Sequence, residues 1–352
     1  MEDLYEAAAQ SMEEGKDNFE CIALYGSSVL AENSSGQMCD DCRDDPTPGK
    51  EIGRHCCLEN ESGTGEITMY HVFPGIELIY NDMHMEYCNQ DQRPTLHTIE
   101  INYCREGRCE CLFGEKQYCY MSAGDLAICS LHEEAHQSVF PTSHYHGITV
   151  TIDFSMIGEE QGRVLERLSI DLKHLQELAG LQGCTILRAR PELKHIFEEL
   201  YTVPEKIRKG YIRIKVLELL LILTGFPFRE TAKEREHYSA VQIGKIKEIH
   251  SFLIHSYSEH YTIEMLSMRA GISPTSLKKC FHGIYGESIY AYMKQYRLQV
   301  AEKLLRETDL TIGEIAVEIG YNNPNKFATS FGKKYGMSRS SFRKERGIQF
   351  IV

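Results

Sequence analysis

Thr311-Ile-Gly-Glu-Ile-Ala-Val-Glu-Ile-Gly-Tyr-Asn-Asn-Pro-Asn-Lys-Phe-Ala-Thr-Ser-Phe331 decides the fold of the last third of this chain. A threonine that can cap a helix opens a short periodic run, and Gly320 supplies the backbone freedom to end it. Asn323-Pro324 then starts a second run, since Pro fits the first helical position without losing a needed hydrogen bond. Phe327 and Phe331 fall four apart and share one helix face. The spacing predicts helix, tight turn, helix.

The same wording occurs upstream. Thr262, Leu266 and Gly271 match Thr311, Ile315 and Gly320 at an offset of 49, and Leu277, Phe281 and Gly286 match Phe327, Phe331 and Gly336 at an offset of 50. Ser273-Pro274 repeats the cap-and-proline start. A duplication of type, order and spacing predicts two helix-turn-helix units. With Leu277, Phe281, Phe327 and Phe331 inward, Thr275, Ser276, Lys278, Lys279 and His282 of the first unit, and Asn323, Asn325, Lys326, Thr329 and Lys333 of the second, are the candidate DNA contacts, being residue types that reach phosphates and base edges. Between the units, Ser288–Arg306 reads as an amphipathic helix with Ile289, Met293, Tyr296, Val300 and Leu304 on one face. Its length of about 28 Å, at ~1.5 Å per residue, suits two recognition helices about one DNA turn apart.

Residues 241–346 resemble the AraC/XylS-type DNA-binding domain, through the pattern from Thr311-Ile-Gly-Glu-Ile-Ala to Gly320-Tyr321 and the closing Gly336-Met-Ser…Phe342-Arg343. The family's usual second recognition helix carries Ser-Tyr-Phe or Ser-His-Phe with Arg two positions later, where this chain has Asn325-Lys326-Phe327 and Thr329. The resemblance implies a sequence-specific, double-stranded-DNA-binding transcription regulator, a promoter target and RNA polymerase as a candidate partner. It also implies, more faintly, an N-terminal cupin-like effector barrel followed by helices that dimerise.

Charge agrees with this division. The 352-residue chain has a formal charge of −13, but residues 241–352 hold 16 Lys+Arg against 10 Asp+Glu (+6), and residues 1–240 hold 22 against 41 (−19). A basic tail on an acidic body fits a DNA-binding domain joined to a part with other work. The longest apolar run, Val216–Leu223, is broken by Glu218, so no membrane span is expected. Met1-Glu-Asp-Leu4 lacks the basic and apolar regions of a signal peptide, so the expected location is cytoplasmic.

Residues 1–64 are weakly patterned. Residues 65–160 hold short Ile, Tyr, Val, Thr and Cys runs between turn signals at Glu106-Gly107, Phe113-Gly114-Glu115 and Ala123-Gly124-Asp125, the pattern of an antiparallel barrel or sandwich. Residues 161–225 turn helical, with stripes at Leu193, Ile196, Phe197, Leu200 and at Ile212, Val216, Leu219, Leu220, Leu223, expected to cover the sheet and to form a homodimer; 226–240 is a linker. The fold class is therefore α+β and multidomain: a cupin-like antiparallel β-barrel with following helices, then the all-α domain 241–352.

Tyr103, Arg105, His144 and His146 are the candidate residues for a small-molecule effector, facing either the barrel or solvent. His132, His136, His144 and His146 do not follow the His-X-His…Glu spacing of a metal-binding cupin, so no enzyme and no cofactor are expected; the alternative is a cupin-fold metal-dependent enzyme with an accessory DNA-binding module. Thirteen cysteines read first as small buried hydrophobes. The lesser reading, zinc on Cys39, Cys42, Cys56 and Cys57 beside His55, has the right ligand types.

Overall fold

The computed structural model describes residues 53–89, 97–113, 117–130, 137–180, 184–225, 238–336, 338 and 341–342. The chain divides into two compact units, Met1–Arg235 and Glu236–Val352.

The first unit is built on strands β1 Arg54–Asn60, β2 Gly63–Phe73, β3 Ile76–His84, β4 Tyr87–Asn89, β5 Thr98–Gly107, β6 Cys109–Phe113, β7 Gln117–Met121, β8 Leu126–Ser130, β9 Gln137–Val139, β10 Tyr145–Asp153 and β11 Cys184–Leu187. Seven form one antiparallel sheet in the order β1-β2-β3-β10-β5-β8-β11. The hairpin β6–β7 and the pair β4–β9 lie over its second face, with β6 against β9 and β11, which wraps the strands into a barrel-like body. Gly107 and Gly124 both take positive φ, as turns at those positions require.

The central strands are buried on both faces. Ile76, Leu78, Ile99, Ile101, Leu126, Ile128, Ile148, Val150 and Ile152 pack against helices α1 Glu159–Arg167, α2 Leu172–Gly180, α3 Pro191–Thr202 and α4 Arg208–Thr224. Ile79, Met83, Cys104, Ala127, Cys184 and Ile186 face the small sheets. On β10 the alternate residues Thr149 and Thr151 are buried too, and the Thr149 hydroxyl is satisfied by Asn81 at 2.9 Å and Asn102 at 2.7 Å, linking three strands. Cys88, Cys104, Cys111, Cys119 and Cys184 sit in this second core as small apolar fillers. Burial pushes the Cys104 thiol up to about 12, which keeps it protonated.

Several expectations are corrected here. The sheet begins at Arg54, inside the stretch read as a weakly patterned leader; β1 is an edge strand with only Leu58 buried, so it lacks the apolar alternation that marks a strand. β11 lies inside the stretch read as purely helical; all four of its residues are buried, and such short runs carry no period. The stripe Leu193, Ile196, Leu200, Val216, Leu219 and Leu223 is at most 3% exposed within one chain, so it is core rather than a dimer face.

The second unit is helical: α5 Ala240–His255, α6 Ile263–Ala270, α7 Pro274–Tyr285, α8 Ile289–Glu307, α9 Ile312–Glu318 and α10 Pro324–Tyr335. α5, α6 and α7 pack on one another, and Leu298, Ala301 and Leu305 of α8 join Ile315, Ala316, Ile319, Phe327 and Phe331 in a second core. α8 buries Ile289, Met293, Arg297, Leu298, Ala301 and Leu305, while Tyr296, Val300 and Leu304 are half-buried; the apolar face is turned by about one residue from the expected one. The buried Arg297 accounts for the turn. Its guanidinium donates to the carbonyls of Tyr257 at 2.6 Å and Glu259 at 2.7 Å, capping the loop after α5.

Candidate nucleic-acid interface and sensor rim

Each helix-turn-helix is set by its caps. The Thr262 hydroxyl accepts from the Met265 amide at 3.2 Å, and Thr311 forms a reciprocal capping box with Glu314. Gly271 and Gly320, at φ +59° and +77°, end α6 and α9. Ser273 and Asn323 then cap α7 and α10 through the amides of Ser276 at 3.1 Å and Asn325 at 2.8 Å, with Pro274 and Pro324 in the first turn. These local bonds aim the two second helices.

Leu277, Phe281, Phe327 and Phe331 are fully buried. On the opposite faces Thr275, Lys278, Lys279 and His282 of α7, and Asn325, Lys326, Thr329 and Lys333 of α10, are exposed. They recur every three to four residues, so each set forms one stripe of polar and cationic groups. Two candidates behave differently. Ser276 is half-buried with its hydroxyl 3.8 Å from the Cys280 thiol, and the Asn323 side-chain oxygen is engaged as a cap. The Thr329 hydroxyl donates to the Asn325 carbonyl at 3.0 Å, which leaves its oxygen as an outward acceptor.

The candidates of the first unit separate. Tyr103 is 4% exposed and stacked on Phe197 at 4.0 Å, deep between sheet and helices. Arg105 lies over the Tyr201 ring at 4.1 Å and 3.7 Å from the Glu106 carboxylate. His144 and His146 meet a residue not foreseen, His84, with ring centroids 4.6 to 5.4 Å apart. Asp82 and Glu106 complete the group: Asp82 contacts His146 and lies 2.9 Å from His84, and Glu106 is 3.7 Å from His144. Burial, then the neighbouring His146 and His84, holds His144 below the usual imidazole range.

Of the zinc candidates, Cys39 and Cys42 lie outside the described residues, as do His132 and His136. Cys56 is half-buried and Cys57 exposed on successive positions of β1. Successive strand residues point to opposite faces, so these two cannot bind one ion. His55, Cys57 and Glu66 do come together on the exposed face.

A helix-turn-helix domain family model matches residues 266–345. The HTH-type transcriptional regulator AlkR of Acinetobacter baylyi is 31% identical over 93 residues, 26% of this chain and 30% of its own length. The HTH-type transcriptional regulator MtrA of Neisseria gonorrhoeae is 24% identical over 180 residues, 49% of this chain and 60% of its own. Among solved structures, a probable AraC family transcriptional regulator from Rhodopseudomonas palustris aligns with 29% of this chain and 97% of its own at 27% identity and a TM-score of 0.27. Residues 266–345 form an AraC-type helix-turn-helix domain. The chain spans 30% and 60% of the length of the two relatives, and the MtrA match is longer than the AraC-type domain itself. Among the described residues no helix is long and apolar enough to cross a membrane.

Proposed function

We propose that the whole chain is a transcription regulator that binds promoter DNA through the two exposed stripes of α7 and α10 and answers to an effector held by the acidic N-terminal unit. The observation that carries this is the duplication: two AraC-type helices, capped alike, present polar and cationic faces that coincide at Thr275/Asn325 and Lys279/Thr329, while their apolar positions are fully buried. One chain with two recognition helices can read successive major grooves from one side of the duplex. The reading is of a sensor and not of a cupin enzyme, because AlkR and MtrA are named as transcriptional regulators. The rim of His84, His144 and His146 beside Arg105 is the place we assign to the effector.

Homodimerisation belongs to the same proposal, on a different face of α4. Ile214 and Leu221, 63% and 46% exposed, stand one heptad apart on α4, and Ile207, 55% exposed, is the residue just before its first turn. Such a repeat suits a two-helix seam. Selection of duplexes by the full chain from a randomised pool, followed by titration at several salt concentrations, tests the main reading. An enriched motif with two half-sites and affinity falling steeply with salt is expected; binding of all sequences alike would refute it. Sedimentation of wild type and Ile214→Arg tests the seam, with a dimer lost in the variant.

A further inference from the structure

The sheet brings five ligand-bearing side chains to one rim. On the antiparallel pair β3–β10, Asp82 stands opposite His146. His84 and His144 each lie two residues further along the same direction of the ladder. Side chains two apart on a strand share a face, and residues opposite one another have Cβ atoms about 4.5–5.5 Å apart. The register alone therefore gathers Asp82, His84, His144 and His146. Glu106 on β5 stands opposite His146, and the bulge between His146 and Gly147, which places Cys104 opposite Gly147, swings it onto this side.

The geometry is that of ligands converging on a point. One ring nitrogen from each of His84, His144 and His146 lies within 4.8 Å of the others. His84 Nδ1 and His144 Nδ1 are 3.5 Å apart. A tetrahedral site with metal–nitrogen bonds of about 2.0–2.1 Å separates its ligand atoms by about 3.3 Å. Asp82 Oδ1 contacts His146 Nε2 and lies 2.9 Å from His84 Nε2, so the carboxylate already pairs with two of the three rings.

We propose that His84, His144 and His146, with the Asp82 carboxylate as an outer partner of the His84 and His146 rings, form a binding site for a divalent first-row transition-metal ion of the zinc or nickel kind. Three imidazole nitrogens favour such ions over calcium or magnesium, and no thiol belongs to the group. Glu106, 3.7 Å from His144 Nε2, is the outer partner that orients that ring. Glu106 also pairs with Arg105, which covers Tyr201 of α3, so the ion sits one ion pair from the helical layer. Its role as the effector rests on the regulator reading above; its binding does not.

Cobalt(II) titration of the full chain, stripped with chelator and kept reduced with a phosphine, tests the site. One cobalt per chain is expected, with ligand-field bands of a nitrogen and oxygen site and no thiolate-to-cobalt charge-transfer band. His84→Ala and His146→Ala should each weaken binding by at least the roughly 10–100-fold that even an outer partner is worth, and His55→Ala should leave it unchanged. Zinc should raise the melting temperature of wild type and not of His84→Ala, which removes an exposed side chain and should fold normally without metal. Unchanged cobalt affinity in both histidine variants, or cobalt held only by thiolates, overturns the proposal. Because no DNA is present, failure here leaves the regulator reading standing, and a chain that binds cobalt but selects no DNA leaves the site standing.

Discussion

Gly320 is a left-handed turn pressed against packed backbone, and replacing it by alanine should cost more than the same change at the matching Gly271. Both take left-handed backbone, which costs an L side chain about 1–2 kcal/mol. At Gly271 that is the whole cost, since the nearest atom to an added Cβ is the end of Lys245 at 3.8 Å. At Gly320 the Cβ would overlap the Ser258 carbonyl, part of the backbone after α5, and His260 Nε2 lies 2.9 Å from the Gly320 carbonyl. Moving packed backbone adds about 1–3 kcal/mol, so Gly320→Ala should lose about 2–5 kcal/mol in total. Gly336, at φ +70° with nothing within 4 Å of a Cβ, is a second control for backbone strain alone. Hydrogen exchange of the amides of α9 and α10 in the full chain reads the opening free energy of this unit. Protection there should fall by about 30-fold or more in Gly320→Ala, and by about 5–30-fold in the neighbourhood of the substitution for Gly271→Ala and Gly336→Ala, at one tenfold step per ~1.4 kcal/mol. Equal losses at Gly320 and Gly271 would show that the Ser258 contact does not constrain the second turn.

Three further outcomes follow from named contacts. Lys326→Ala and Asn325→Ala should each weaken selected duplexes by about 1–3 kcal/mol more than scrambled ones if they reach base edges, while Lys279→Ala should weaken both alike and lower the salt slope by about one; binding titrations decide. Arg297→Met leaves the carbonyls of Tyr257 and Glu259 without their donor, so unfolding in urea should show a loss of roughly 2–5 kcal/mol, and Arg297→Lys should recover less than half because it lacks the planar fork. Burial holds His250, bonded to Tyr292 at 2.7 Å, down to about 4, so below about pH 6.5 the unfolded chain takes up a proton that the folded one refuses. This contribution is complete above about pH 6.5 and is lost as pH falls toward 4, by roughly 2 kcal/mol at pH 5; His250→Gln should lack that part of the slope in urea unfolding measured at pH 7 and pH 5.

The helix-turn-helix pair was legible in the amino-acid order because each unit is decided locally. A capping Thr or Ser, a Gly with left-handed backbone, a Pro in the first turn and two core residues four apart act within about twenty residues, and the duplication states them twice. The outward stripes of α7 and α10 follow from the same helical period. Ser276 escaped that reasoning because its half-buried place depends on Cys280, one turn away, being core.

What the tertiary structure alone decided depends on strand register and on packing across long stretches of chain. His84 stands 60 positions from His144, and nothing in the local spacing of either announces the other; only the antiparallel ladder of β3 and β10 sets them side by side. The stripe on α3 and α4 shows periodicity but not what covers it, and the sheet face of Ile76, Leu78, Ile148 and Val150 takes it. β1 and β11 are held by their neighbours in the sheet and carry no period of their own. Arg297 looks like a surface charge in sequence and is buried because the loop after α5 offers it unpaired carbonyls. Local hydrogen bonds and helical period are written residue by residue, whereas register, coverage and the pairing of buried charges arise only when distant segments meet.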